Sequence, residues 1–231
     1  MNPVKLIVSC KKNLEFKYGT RFKQVDQLLK KIKAADKKRK TDTIIVYIDD
    51  AVSAKAAGIK PAKHNSMKEC KDAIDELFRK HIPVYIVIIG AGDVFPFQEI
   101  QNPAEDEDIL IPSDLPYACD APYSRSINSF TGPTRVVGRI PDIPGQQKDT
   151  SYLRRLIENT IRHKPIKPDL YRNYFAISAH VWRKSTQMSL HNMFNDNSKL
   201  NLSPPSGTYK KSQFAPLTHF INCHGALNST S

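Results

Sequence analysis

Apolar residues along this chain occur in two patterns, short continuous runs and helical stripes. The run Thr41–Asp50 is β-branched and ends in two aspartates, and Pro83–Asp93 repeats that pattern, so each predicts a strand buried on both faces. Between them, apolar residues follow helical spacing over Met67–Phe78. Ser66 and Glu69 form the S-x-x-E box that marks a helix start. The order strand, helix, strand predicts a right-handed crossover and a parallel pair of strands.

The same alternation continues towards the last residues. Further helices are predicted at Phe22–Ile32, Leu153–Ile161 and Ser185–Asn197, and further strands at Tyr174–Trp182 and Thr218–Cys223. The middle of the chain is rich in proline and carries only short apolar pieces. Together these patterns predict an α/β fold with an open, mostly parallel sheet and helices on both faces.

Composition places the chain among ordinary globular proteins. It has 231 residues, of which 40% are hydrophobic and 25% charged. The apolar run near the N-terminus is too short for a signal peptide or a membrane helix, so we expect a cytoplasmic protein with no membrane partner. The four cysteines have neither CxxC nor zinc-type spacing. We therefore expect no disulfide framework, no metal and no cofactor.

The formal net charge of +12 is concentrated in lysine-rich stretches, of which Lys30–Lys40 is the densest. That block lies at the end of the predicted helix Phe22–Ile32, where cations also complement the helix dipole. A solvated helix face is favoured over a phosphate-binding patch, because no aromatic interleaving accompanies the lysines. Binding of nucleic acid is therefore not expected, although it is kept as an alternative.

The segment Gly90–Phe95, GAGDVF, follows a predicted strand and begins like a dinucleotide-binding fingerprint. The third glycine of that fingerprint falls at Phe95, and Pro96 follows where a helix would open. Dinucleotide binding is therefore disfavoured, and the sequence contains no Walker-type phosphate loop.

Several polar residues follow predicted strands, where ligands bind in open α/β sheets. They are Asp49, Asp50, Asp93 and His224 with Gly225, and we expect them on one edge of the fold. Each aspartate alone is more typical of a cap or turn. His224 is the best single candidate, because a small glycine follows it whose N–H can approach a reacting oxygen. Neighbouring side chains of a strand face apart, so Cys223 is interpreted as a buried strand residue rather than as the partner of His224.

Five segments, in this order, resemble the gingipain-like cysteine peptidases, which belong with the CHAT-domain and caspase peptidases to the caspase-fold group. The segments are Gly90–Phe97 (GAGDVFPF), Asp114–Ala118 (DLPYA), Val137–Pro141 (VGRIP), Ile177–Thr186 (ISAHVWRKST) and Phe220–Ala226 (FINCHGA). They are similar to that group's IVGDxxxxPF tract, DxPYA segment, VGRxP strand, VW segment and histidine–glycine motif. The resemblance covers roughly Thr41 to Ala226.

The resemblance implies a cysteine endopeptidase with a caspase-like sheet. His224 would be the general acid/base, and the Gly225 N–H would contribute to the oxyanion hole. The nucleophilic cysteine of that group lies on the next strand, which this chain does not contain. We therefore expect residues 1–40 to form an N-terminal extension with a basic helix, and residues 41–231 to form a partial peptidase domain that lacks its C-terminal strands and is inactive alone.

The implied partner is a protein or peptide substrate. Asp93, Asp114 or Asp120 could receive a basic side chain of that substrate, since peptidases of this group often require a charged residue before the scissile bond. The alternative function is a non-catalytic α/β domain that binds an acidic partner or nucleic acid through Lys30–Lys40. Oligomeric state and specificity are left open by the sequence.

Overall fold

The computed structural model describes residues 2–103, 108–145, 149–164, 166–203 and 209–223. The chain divides into two compact units, Met1–His163 and Lys164–Ser231, called the first and second unit below. The helices are α1 (Lys11–Tyr18), α2 (Phe22–Lys38), α3 (Ala51–Ala56), α4 (Met67–His81), α5 (Ser151–Arg162) and α6 (Arg183–Phe194). The strands are β1 (Val4–Ser9), β2 (Asp42–Tyr47), β3 (Tyr85–Ile89), β4 (Gln98–Gln101), β5 (Leu110–Ser113), β6 (Val137–Ile140), β7 (Tyr174–Ala179), β8 (Leu200–Ser203) and β9 (Thr218–Asn222).

The first unit contains a four-stranded parallel sheet in the order β2-β1-β3-β6. Strand β1 pairs with β2 on one side and with β3 on the other. The two strands predicted on either side of α4 are thus parallel, but β1 lies between them. The structure also differs from the expected N-terminal extension, because residues 4–38 supply an interior strand and two helices of this unit.

Helices cover both faces of this sheet, as the continuous apolar strand patterns predict. Leu6 and Val8 of β1 pack with α4 in one core cluster, whereas Ile7 packs with α2 and α5 in another. Successive side chains of a strand point to opposite faces, so an uninterrupted apolar run serves both cores. The predicted helix start at Ser66 is confirmed, since the Ser66 Oγ accepts the Glu69 N–H at 3.2 Å. The reciprocal half of the box differs from the prediction, because the Glu69 carboxylate accepts the Lys63 N–H at 2.8 Å. The predicted α/β class with a mostly parallel sheet is confirmed.

The proline-rich middle forms an antiparallel hairpin, β4 with β5, beside the parallel sheet. In the second unit, β8-β7-β9 form a three-stranded parallel sheet. Strand β7 and helix α6 share a core made of Tyr174, Ala176, Leu190, Phe194, Leu200 and Phe220. The parallel strands are therefore distributed over two sheets, where the sequence predicted one.

A buried ion cluster links α4 to Arg135, which lies two positions before β6. The Lys71 ammonium lies 2.5 Å from both carboxylate oxygens of Asp75, and Arg135 Nη2 lies 2.5 Å from one of them. The Arg135 guanidinium also stacks over the Phe78 ring at 4.7 Å. Burial lowers the pKa of Lys71 despite the neighbouring carboxylate. One carboxylate thus compensates two buried cations.

Replacing Asp75 with Asn should be far more destabilising than replacing Lys71 with Met. The Asp75→Asn variant leaves two buried cations without a counterion, so we expect the free energy of unfolding to fall by about 3–5 kcal/mol. Lys71→Met keeps the Arg135–Asp75 pair and removes a desolvated ammonium, so a loss below about 2 kcal/mol is expected. Urea unfolding of both variants measures the difference. Equal losses of unfolding free energy would contradict the role of Asp75 as the counterion of both cations.

Candidate functional site

The segment after β3 turns sharply at the carboxyl edge of the first sheet. Gly90 has a φ of +102°, and a Cβ at this position would lie 2.4 Å from the side chain of Val94. The N–H groups of Val94 and Phe95 both donate to the Ala91 carbonyl, which closes the turn. The chain then continues into β4. Only glycine fits at position 90, because a side chain would be strained and would collide with Val94.

Arg139 of β6 binds this turn to a second segment. Its guanidinium donates to both carboxylate oxygens of Asp114, at 2.8 and 2.6 Å, in a bidentate pair. The same group donates to the carbonyls of Gly90 (2.7 Å) and Phe95 (2.9 Å), and it stacks on the Phe97 ring at 4.2 Å. Three segments that carry the resemblance thus meet at one side chain, which we call the Arg139 clamp.

Tyr117, from the DLPYA segment, is buried beside the clamp. Its hydroxyl donates to the Pro96 carbonyl at 2.8 Å and accepts the Gln98 side-chain N–H at 2.5 Å. Its ring packs edge-on against Phe95 at 5.5 Å. Burial raises the pKa of Tyr117 well above its ordinary value, so the hydroxyl stays protonated. The residue therefore fixes the loop before β4 rather than offering a titrating group.

Asp93 lies in the same turn but pairs with α1. The Lys17 ammonium lies 2.8 and 3.0 Å from the two Asp93 oxygens, and the Gly145 N–H donates to Asp93 at 3.0 Å. Burial alone would raise the pKa of Asp93, but the hydrogen bonds from Lys17 and Gly145 outweigh it and hold that pKa below its ordinary value. Lys17 also lies 3.1 Å from the buried carboxylate of Asp142.

The three acids predicted to receive a basic substrate side chain therefore differ in their surroundings. Asp93 is paired with Lys17 and Asp114 with Arg139, whereas Asp120 is exposed. A basic substrate group would have to displace an existing ion pair at the first two positions. Binding of substrate by any of the three stays a prediction.

The acids that follow β2 stabilise helix starts, as their position after a strand suggested. Asp49 accepts the backbone N–H groups of Lys11 (2.6 Å) and Lys12 (2.9 Å) at the start of α1. Asp50 accepts the Ser53 N–H at 2.9 Å and thereby caps α3. These two aspartates and Asp93 follow strands of the first unit's sheet. Strand β9, which precedes His224 in the sequence, belongs to the sheet of the second unit.

In the second unit, β9 ends at Asn222, two positions before His224 in the sequence. The predicted catalytic residues His224 and Gly225 lie outside the described residues. Asn222 is in register with Ser178 of β7. The Thr186 hydroxyl of α6 bonds to both, accepting the Asn222 side-chain N–H at 2.9 Å and lying 2.8 Å from the Ser178 Oγ. A hydrogen-bonded polar chain therefore fixes the strand ends from which the histidine–glycine motif continues.

The sequence patterns do not predict this hydrogen-bonded chain, although Ser178 and Thr186 lie within the VW segment and Asn222 within the histidine–glycine segment. The signal was a polar residue at the end of each of two apolar strands. Ser178 and Thr186 are both fully buried, so their hydroxyl groups need partners inside the protein. These residues are positioning candidates for the motif.

Three of the four cysteines are poor nucleophile candidates. Cys10, Cys70 and Cys119 are buried, while Cys223 is half-buried. The hydrogen bond with Cys70, together with burial, raises the pKa of Cys10, and burial raises the pKa of Cys119. A nucleophilic cysteine needs an accessible thiolate, which these surroundings disfavour.

Neither a metal site nor a membrane span is found within the described ranges. No group of three or more His, Cys, Asp or Glu side chains there is arranged to hold a metal ion. No helix in that part of the chain combines the length and hydrophobicity that a membrane span requires.

Replacing Arg139 should disrupt the clamp and destabilise the first unit. Arg139→Met leaves the Asp114 carboxylate unpaired and removes donors from the carbonyls of Gly90 and Phe95, so we expect a loss of about 3 kcal/mol. Arg139→Lys should recover only part of that loss, because an ammonium cannot reproduce the bidentate fork. The exposed Arg125–Glu99 pair (3.3 Å) provides the control, and Arg125→Met should cost less than about 1 kcal/mol in denaturant unfolding. A similar cost at both positions would contradict the clamp.

Thiol reactivity should separate Cys223 from the other cysteines. In the native protein, an aromatic disulfide reagent should modify Cys223 first, because burial protects the other three thiols. All four should react after denaturation. A Cys223→Ser variant should lose the fast phase, and a fast phase that persists in this variant would contradict the assignment.

Comparison with known proteins gave no match. No protein-family model, no curated protein and no solved structure matches the chain.

Proposed function

We propose that this chain supplies the histidine half of the active site of a caspase-fold cysteine peptidase. The observation that carries the proposal is the topology of the second unit. Strand β9 is part of a parallel sheet, and its carboxyl end leads within three residues to His224 and Gly225. Ligand and catalytic groups of open α/β sheets collect at this end of the strands.

The polar chain at the end of β9 supports a positioning role. Thr186 is fully buried and connects the ends of β7 and β9 through Ser178 and Asn222. A catalytic histidine requires a geometry fixed within about half an ångström, which rigid elements supply better than free loops. The hydrogen bonds of Asn222 hold the last residue of β9 against α6.

The nucleophile in this proposal is a cysteine outside these 231 residues. Cys10, Cys70 and Cys119 are buried, and none of them follows β9 in the order that the resemblance implies. Cys223 precedes His224, whereas the nucleophile that the resemblance implies follows the histidine. The proposed enzyme therefore draws its thiol from a further segment that adds to the sheet of the second unit.

The proposed chemistry is acyl transfer through a thioester. His224 takes the proton from the thiol, and the thiolate attacks the carbonyl carbon of the scissile peptide. The N–H of Gly225 stabilises the oxyanion of the tetrahedral intermediate. His224 then delivers its proton to the leaving amine, and in the second half-reaction it activates the water that hydrolyses the thioester. The thiolate leaves as the thioester is hydrolysed and takes the proton back from His224, so the thiol is regenerated.

The proposed substrate is a protein or peptide. If a basic side chain precedes the scissile bond, Asp120 is the most accessible of the three candidate acids, because Asp93 and Asp114 are already paired. In this proposal the ion pairs of Asp93 and Asp114 stabilise the fold, and substrate specificity arises at exposed positions.

The test is peptidase activity of the native protein, produced from its own gene with an N-terminal affinity tag. We expect cleavage of a peptide library, inhibition by a thiol alkylator, and a loss of at least 10³-fold in kcat/KM for His224→Ala. His191→Ala is the matched control, because His191 is exposed on α6, and it should retain full activity. The purified 231-residue chain alone should be inactive.

Three outcomes would overturn the proposal. The first is a native protein that cleaves no peptide in the library. The second is cleavage that survives His224→Ala. The third is hydrolysis by the isolated 231-residue chain that His224→Ala abolishes, which would move the nucleophile into this chain.

A further inference from the structure

Helices α2 and α5 lie side by side on the first unit and form a continuous seam. At one end, Gln24 of α2 accepts a hydrogen bond from Arg154 of α5 at 3.1 Å. At the other end, Arg39 donates to the carbonyls of Ile161 (2.6 Å) and His163 (2.8 Å), where α5 ends. These contacts fix the two helices relative to each other at both ends. The groove between them, called the α2–α5 seam, is therefore a fixed surface feature.

A cavity of about 340 Å³ lies in the C-terminal half of the seam. Its lining combines apolar residues with cations. We call the apolar residues, Ala34, Ala35 and Ile161, the floor of the cavity and the cationic residues, Lys31, Lys38 and Arg39, its walls. The alanines leave room for a side chain of another molecule to reach the helix backbone.

The charge on the walls is not balanced from within the described part of the chain. Lys31 and Lys38 are both exposed, and no carboxylate of a described residue forms an ion pair with either ammonium. Lys30, on the neighbouring face of α2, differs because it pairs with Asp26 at 2.7 Å. Arg39 is partly neutralised by Asp36, at 3.6 Å. The positive potential of the seam is thus set by Lys31 and Lys38.

We infer that the α2–α5 seam docks an acidic amphipathic helix of a partner protein. An apolar side chain of that helix seats on Ala34 and Ala35, and two of its carboxylates face Lys31 and Lys38. These lysines are seven positions apart on α2, which is two helical turns or about 10 Å. The complementary partner therefore carries acidic residues two turns apart that flank an apolar residue.

The lining favours a peptide over nucleic acid. The seam contains a second cavity, lined by Gln24 and Arg154 among other residues. No aromatic ring of a described residue lines either cavity, so nucleic-acid bases would have no ring to stack on. The second cavity, of about 410 Å³, contains the carboxylates of Asp149 and Glu158 beside its arginines. These carboxylates repel a continuous phosphate backbone, whereas a peptide can place neutral or basic residues against them. The apolar floor also suits a hydrophobic side chain better than a sugar-phosphate chain.

This inference is independent of the proposed peptidase. The seam lies in the first unit and uses none of the proposed catalytic residues. If the helix binds but no peptidase activity is found, the docking inference stands and the proposed function fails. If peptidase activity is found but no helix binds, the proposed function stands and the docking inference fails.

The test begins with selection from a phage-displayed library of helical 16-residue peptides against the 231-residue chain. We expect enrichment of Asp or Glu at two-turn spacing around an apolar residue. The best peptide, labelled with fluorescein, is then titrated by fluorescence anisotropy against the chain and three variants. Lys31→Gln/Lys38→Gln and Ala34→Trp should each weaken binding at least 10-fold, the first by removing the charges and the second by filling the cavity.

The matched control is Lys33→Gln/Lys37→Gln, which removes the same charge from exposed positions of α2 that do not line the cavity. It should change the affinity less than 2-fold, and circular dichroism confirms that each variant is folded. Failure to enrich acidic peptides overturns the inference, as does an equal loss in the control. A single-stranded oligonucleotide that binds more tightly than the peptide and is lost in the Lys31/Lys38 variant would reassign the seam to nucleic acid.

Discussion

The first unit depends on the guanidinium of Arg139, which joins β6, the turn after β3 and the loop that carries Asp114. A planar fork with five donors can satisfy a carboxylate and two carbonyls at once, which no other side chain can do. The turn that it holds is sharp enough to require glycine at position 90. One side chain therefore holds together three segments that are distant in the sequence.

The three segments joined by Arg139 have structural roles that do not depend on catalysis. They carry much of the resemblance to caspase-fold peptidases, yet in this structure the side chains of Arg139, Asp114 and Tyr117 meet structural requirements. Hydrogen bonding and packing within the first unit are enough to explain these residue types. The proposed catalysis rests instead on the second unit, where the hydroxyl groups of Ser178 and Thr186 hold the end of β9. The residue that decides the proposal is therefore His224 rather than any acid of the first unit.

Strong local patterns could be predicted from the sequence, but pairings between distant residues could not. The apolar runs of β2 and β3 and the Ser66 cap of α4 are each contained in a few neighbouring residues. Strand β1 could not be predicted in the same way, because its apolar run is short and lies next to lysines. Its place between β2 and β3 depends on register, which periodicity does not contain. The Ser178–Thr186–Asn222 chain was missed for the same reason, since it exists only once three elements pack together.

The lysines of Lys30–Lys40 cannot be told apart in the sequence, but the structure places them in different surroundings. Lys30–Lys40 looks uniform in the sequence, but helical periodicity distributes its members around α2. Lys33 and Lys37 lie away from the seam and act as a solvated face, Lys30 is paired with Asp26, and Lys31 and Lys38 border an apolar cavity. Coulomb attraction to an exposed lysine is weak in water, so the block as a whole selects no partner. In our inference, selectivity arises where two of its charges flank an apolar surface, as Lys31 and Lys38 do at the α2–α5 seam.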